Sequence, residues 1–99
     1  MPLYNFYSDA SMMFRHLSDE TPKNADFQMH IHDQFELLYF VRGTAECIVE
    51  TTSYHLLPDT LMAMRPMESH RINILASSPY ERYTLNFSAE LLDAITPEK

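Results

Sequence analysis

His30 and His32 stand one residue apart in MHIHDQFELLYFVRG, and Glu36 follows within the same stretch. Two imidazoles and a carboxylate are a donor set that suits a borderline divalent cation. Side chains alternate faces along a strand, so positions of equal parity share a face. His30, His32, Glu36, Leu38 and Phe40 are all even-numbered. One unbroken strand would line them along one side. A turn at Asp33-Gln34 would instead put the histidines and the carboxylate on adjacent strands, still within reach of each other. His70, just after the turn at Pro66, is the candidate fourth ligand. A second reading stays open: the same polar groups hydrogen-bond one another and a small organic molecule. Burying them with neither metal nor ligand would cost on the order of several kcal/mol.

Other chemistry-bearing residues have simpler readings. Cys47 in AECIVE has no basic neighbour to lower its pKa, so packing is the expected role. His55 reads as a surface residue, and His16 lies in a segment that could close over a ligand. Met62 and Met64 read as one face of a buried strand or as flexible walls of a cavity. Arg65, Arg71 and Arg82 could reach an anionic or hydroxyl-rich ligand, and Tyr39, Tyr80 and Tyr83 could do the same or simply pack. With one glycine in the chain, glycine-rich phosphate and dinucleotide loops are excluded.

These residues need a scaffold. Ninety-nine residues allow one domain, 1–99, with one core. The seven basic residues are dispersed, and 14 acidic ones bring the net charge to −7, which disfavours direct nucleic-acid binding by this chain and attraction to acidic lipids. No apolar run approaches the length of a spanning helix, so no membrane role is expected. The first residues lack the pattern of a secretory signal, and the single cysteine makes no internal disulfide; together these predict a cytoplasmic protein.

Short strand-like runs dominate: LYNFY, then DFQMHIH, FELLYFVR, AECIVET, SYHLL, TLMAMR, HRINIL and ERYTLNF, separated by turn residues. SMMFRHL is ambiguous between strand and helix. Strands with turns at this spacing predict an antiparallel sandwich or barrel. Residues 1–20 read as an N-terminal arm or first strand, 27–87 as the barrel core and 88–95 as a short helix. Ser88 is the expected helix cap, Leu91, Leu92 and Ile95 its apolar face. Gly43 is expected to supply the positive φ of a tight hairpin.

The pattern resembles a cupin. The first cupin motif ends in His-x-His, three or four residues, Glu, six residues, Gly, and His30-Ile31-His32, DQF, Glu36, LLYFVR and Gly43 match every spacing. Its opening glycine falls on Asn24. In the second motif Pro66 and His70 match with an interval one residue shorter than in metal-binding cupin enzymes. YHLLPDTLMAMRPMESH and PYERYTLNFSAELL resemble, more narrowly, the sensor domain of AraC-type transcription regulators. Asp59-Thr60 stands where Gly-Asp is usual there, and Arg65-Pro66 where that family has two prolines. The likeness spans about residues 27 to 95.

The resemblance implies an all-β fold: a small antiparallel, jelly-roll-like cupin barrel with a short C-terminal helix. It implies an effector-binding domain for a small metabolite, often a sugar, without a cofactor and cut from a longer regulator that carries the DNA-binding motifs. His30, His32, Glu36, Leu38, Phe40 and His70 would line the ligand site. A homodimer is expected, because the tail's apolar residues and a sheet edge need covering. The alternative is a stand-alone metal-dependent cupin enzyme, an oxygenase or isomerase. There His30, His32, Glu36 and His70 would hold Zn, Mn, Fe or Ni.

Overall fold

A computed structural model describes residues 3–9, 11–27, 29, 31 and 33–95. Eight strands run as β1 (Leu3–Ser8), β2 (Met12–Asp19), β3 (Phe35–Arg42), β4 (Ala45–Val49), β5 (Thr52–His55), β6 (Thr60–Met64), β7 (His70–Ile74) and β8 (Tyr80–Phe87). A 3-10 turn, Asn24–Asp26, precedes β3, and the helix α1 (Ala89–Ile95) follows β8. The strands form a five-stranded sheet in the order β1-β2-β8-β3-β6 and a three-stranded sheet in the order β5-β4-β7. All pairings are antiparallel. From β3 onward the chain passes repeatedly from one sheet to the other, which is the jelly-roll-like arrangement that the resemblance implies.

Both sheets feed one core. Leu38 and Phe40 from β3, Cys47 from β4 and Tyr80 from β8 are buried together with Leu56 and Met64. Fully burying such side chains is worth about 1.5–3 kcal/mol each, so this cluster is the main source of cohesion between the sheets. Backbone bonds reinforce it where strands end: the Asp59 N–H donates to the Phe40 carbonyl at 2.8 Å and the Leu75 N–H to the Thr44 carbonyl at 2.8 Å.

The first segment belongs to the barrel wall. All of SMMFRHL after Ser11, ambiguous in sequence, lies in β2, which pairs with β8 along its whole length, from Met12 opposite Phe87 to Asp19 opposite Tyr80. Asp9 fixes the β1–β2 turn, its Oδ1 accepting from the backbone N–H groups of Ser11 at 2.8 Å and Met12 at 3.0 Å. Aspartate favours turns through such local bonds.

Two local expectations fail. The strand predicted over DFQMHIH is absent among its described residues: Asp26 closes the 3-10 turn, and Phe27, Met29 and Ile31 belong to no strand. Asn24 accounts for the change of direction, because its side chain accepts from the Ile74 N–H at 2.6 Å and donates to the Ile74 carbonyl at 3.3 Å. It thereby closes the end of the edge strand β7 instead of starting a new one. Gly43 has a positive φ of 136°, as expected, but it makes no hairpin. It sits where the chain leaves β3 in one sheet for β4 in the other. A Cβ there would meet the Pro79 carbonyl oxygen and the Tyr80 Cα, both at 3.2 Å. The glycine serves a crowded corner.

α1 starts as predicted. The Ser88 hydroxyl accepts from the Leu91 N–H at 3.1 Å, a normal N-cap bond. Leu91 and Leu92 are half-buried and Ile95 is exposed.

Candidate functional site

The inner face of the five-stranded sheet changes character along its strands. On β3, Phe40, Leu38 and Glu36 point inward; on β8 their register partners are Arg82, Thr84 and Asn86. Arg15 and Leu17 of β2 continue the row, opposite Thr84 and Arg82. Between this face and β7 lies a cavity of about 190 Å3, whose lining includes Glu36, Leu38, Met64, His70 and Thr84. Phe27 and Asp26, from the turn before β3, complete it on another side. Its size is below the roughly 300–1,000 Å3 of drug-sized pockets, so it suits a small metabolite.

Its centre is a buried polar cluster. Glu36 is 8% exposed and His70 3%. Glu36 Oε1 faces His70 Nε2 at 3.2 Å and accepts from Asn86 Nδ2 at 3.1 Å. His70 Nδ1 lies 3.1 Å from the Glu68 carbonyl oxygen. A carbonyl oxygen only accepts, so Nδ1 carries a hydrogen. The contact between Nε2 and the carboxylate then needs a second proton, on the ring or on Glu36. Burial alone would pull the His70 pKa down. The hydrogen bond to Glu36, the Glu36 charge and the bond to the Glu68 carbonyl outweigh it, and the pKa is raised above the usual histidine value.

Arginines frame the cluster. Arg82 is 4% exposed, donates to Asp19 Oδ2 at 2.7 Å and to the Tyr80 carbonyl at 3.3 Å, and lies 4.4 Å over the Tyr80 ring. Phe27 offers a second ring to the same guanidinium, 5.4 Å away. Arg15 donates from Nε to Thr84 Oγ1 at 3.2 Å and from a terminal nitrogen to Asn86 Oδ1 at 3.5 Å. Arg71, on β7, lines the cavity from the other sheet.

Of the residues singled out in the sequence, Glu36, Leu38 and His70 line this cavity together. His30 and His32 lie outside the described residues. Phe40, expected as a wall, is fully buried in the core behind the cavity and is not part of its lining. Met64 lines the cavity, whereas Met62 packs against the core. Among the arginines, Arg71 and Arg82 reach the cavity, and Arg65 pairs with Glu68 on the surface. His16 lies on the opposite face of the sheet, 2.7 Å from Glu81 and stacked on Tyr83. Cys47 is buried, and desolvation, with a contribution from the Glu36 charge, pushes its thiol up to about 11. Arg15, Thr84 and Asn86 were not anticipated.

The donor chemistry for a metal is present in part. Glu36 and His70 are adjacent, and the Glu68 carbonyl holds the second nitrogen of His70, the support that a metal-bound imidazole ordinarily has. The other two candidate ligands lie outside the described residues, and among the described residues no group of three or more potential metal ligands occurs. No helix among them is long and apolar enough to cross a membrane.

Comparison with solved structures identifies the architecture. The cupin domain of Cnp3 from Schizosaccharomyces pombe superposes with a TM-score of 0.76 at 10% identity, over 93% of this chain and 63% of that one. A Cupin 2 conserved barrel domain protein from Salinispora arenicola gives 0.69 at 14% identity, over 88% and 71%. The Fe(II) form of HppE gives 0.65 at 16% identity, over 78% and 43%. This chain therefore spans less than two thirds of the length of two of these neighbours. At such identities the likeness establishes the cupin fold alone. Among curated proteins no sequence match is found. The sequence profile described as the AraC-like ligand binding domain matches residues 16–98. The match includes β3, β7 and β8, which supply the polar cluster, and by it the chain belongs to the AraC-like ligand-binding domain family.

Proposed function

We propose that this chain acts as a single effector-binding sensor domain of an AraC-type transcription regulator, with DNA binding carried by another part of that regulator. The observation that carries the reading is the buried cluster of Glu36, His70 and Asn86 beside a cavity of metabolite size. A barrel that needed only stability would fill this space with apolar side chains. Here a carboxylate, an imidazole and the Thr84 hydroxyl line it and offer both donors and acceptors, as a sugar or another hydroxylated metabolite would require. The effector binds without a cofactor and favours one arrangement of the N-terminal segment or of α1, by no more than its difference in affinity for the two arrangements. The domain works in the cytoplasm and pairs with a second copy, which covers exposed apolar residues such as Leu61 and Ile95.

The test is native mass spectrometry of the full chain after exposure to a bacterial metabolite extract. A single small molecule retained in equal stoichiometry is expected. Protein that emerges bare from extracts of cells grown on varied carbon sources would sink the reading.

A metal-dependent cupin enzyme is the rival, favoured by the direct Glu36–His70 contact and the iron-bearing HppE neighbour. Elemental analysis of protein purified without chelator separates the two. Stoichiometric metal, lost in a His30→Ala/His70→Ala double variant, would favour the enzyme.

A further inference from the structure

The chain carries a formal charge of −7, with 14 acidic residues against seven basic ones. Yet Arg15, Arg71 and Arg82 all line one small cavity. Their charges are not equally compensated. Arg82 is paired with Asp19 at 2.7 Å. The carboxylate of Glu36 is matched by His70 and Asn86. Arg15, by contrast, donates its hydrogen bonds to neutral oxygens, those of Thr84 and Asn86. Neither Arg15 nor Arg71 forms an ion pair with any described residue. The remaining acid of the lining, Asp26, is exposed and solvated at the rim.

Both guanidinium-bearing residues are partly buried, Arg15 on β2 and Arg71 on β7, so they approach the cavity from different sheets. Holding partly desolvated cations without a counter-charge is unfavourable. In a chain with a twofold excess of acids, pairing them internally would have been easy. The missing negative charge is therefore the ligand's to supply. The guanidinium fork matches a carboxylate in two parallel bonds and holds it more strongly than neutral hydrogen bonds do. Beside it, Glu36 and Thr84 offer acceptors to hydroxyl groups.

We infer that the cavity selects a small hydroxylated carboxylate, of the sugar-acid or hydroxy-acid class, with its carboxylate on Arg15 and Arg71 and its hydroxyls on the Glu36–Thr84 side. This rests on the reading of the cavity as the effector site and narrows it to an anion.

The test titrates the full chain, with isotope-labelled methyl groups, with D-glucuronate and L-malate, their neutral counterparts D-glucose and malamide, and inorganic phosphate. The methyl signals of Leu38 and Met64 report occupancy. At least one acid should move them and bind at least about tenfold more tightly than its neutral counterpart. Arg15→Gln and Arg71→Gln should each weaken that acid about tenfold or more, and Arg15→Lys by less. Arg42→Gln should bind as the wild type does, because Arg42 pairs with Glu81 outside the cavity. Equal binding of acid and neutral compound, tighter binding of phosphate, or an acid affinity unmoved in both glutamine variants overturns the inference and leaves the effector cavity standing. Leu38 and Met64 signals unmoved by all five compounds overturn it and count against the effector cavity as well.

Discussion

Two regions of the same barrel interior are built to different ends. In the packed region, Phe40, Ala45, Cys47 and Leu56 are at most 2% exposed, and apolar atoms meet apolar atoms from both sheets. In the cavity region, Glu36, His70, Thr84 and Arg15 surround open space with hydrogen-bonding groups. The same strand, β3, serves both, passing from Phe40 to Glu36 along one face. The contrast separates what holds the fold together from what it holds. The packed region gains free energy from burial, while the cavity region gives some up to keep polar groups available. Natural proteins commonly trade stability for function in this way.

The comparison breaks first at the packed region. Phe40→Ala should cost about 3–5 kcal/mol, read by urea unfolding, because Phe40 is completely buried and lies against the Tyr80 ring at 6.0 Å. That is a large share of the roughly 5–15 kcal/mol available to a small domain. A loss below about 1 kcal/mol would show that this region is not the source of cohesion.

The cavity region should behave differently. His70→Leu alone should destabilise by about 3 kcal/mol or more, since it leaves Glu36 buried beside an apolar group. Glu36→Met/His70→Leu together should recover most of that loss and bring stability to within about 1 kcal/mol of wild type, or above it. A double variant as unstable as the single one would mean that the pair is structural.

The pH dependence sharpens the same point. The folded-state pKa of His70 is raised above 6.5, so its contribution is fully present below about pH 6.5 and declines as pH rises through the folded value. Wild-type stability should therefore fall on the alkaline side of that pH. The decline should vanish in the double variant, as followed by thermal unfolding across a buffer series. A decline of the same size in both proteins would assign it to another group.

The smallest effect concerns Ser18, which is completely buried with no hydrogen-bond partner for its Oγ among the described residues. It belongs neither to the apolar core cluster nor to the polar cluster of Glu36, His70 and Asn86. Ser18→Ala should raise stability by about 1 kcal/mol, and a loss of that size would reveal a hidden partner.

Much of this was legible in the sequence, for identifiable reasons. Turn residues punctuate the chain so often that the strands from FELLYFVR to ERYTLNF are separable by eye, and the structure has a strand in each. Glu36 was legible because it shares parity and spacing with His30 and His32, and His70 because it follows the turn at Pro66. Thr84 and Asn86 were not. In YERYTLNF the apolar set Tyr83, Leu85 and Phe87 would ordinarily face the core. In β8 the burial runs the other way: Tyr80, Arg82, Thr84 and Asn86 are buried, and the apolar set is only half-buried. Alternation shows that two faces differ, not which of them faces inward. Arg15 was hidden for the same reason, since its place opposite Thr84 depends on the pairing of β2 with β8. The strand predicted over DFQMHIH is missing among its described residues because alternation cannot supply a partner strand. The bonds that Asn24 makes to Ile74 are a tertiary contact that no local pattern encodes.

The central claim is that the Glu36–His70 region exists to hold a ligand. It is tested most directly by isothermal titration of the metabolite recovered in native mass spectrometry, against wild type and the Glu36→Met/His70→Leu variant. The account predicts one site per chain in the wild type, and an affinity at least about a hundredfold weaker in a variant that remains folded. Equal affinity in both proteins would contradict it.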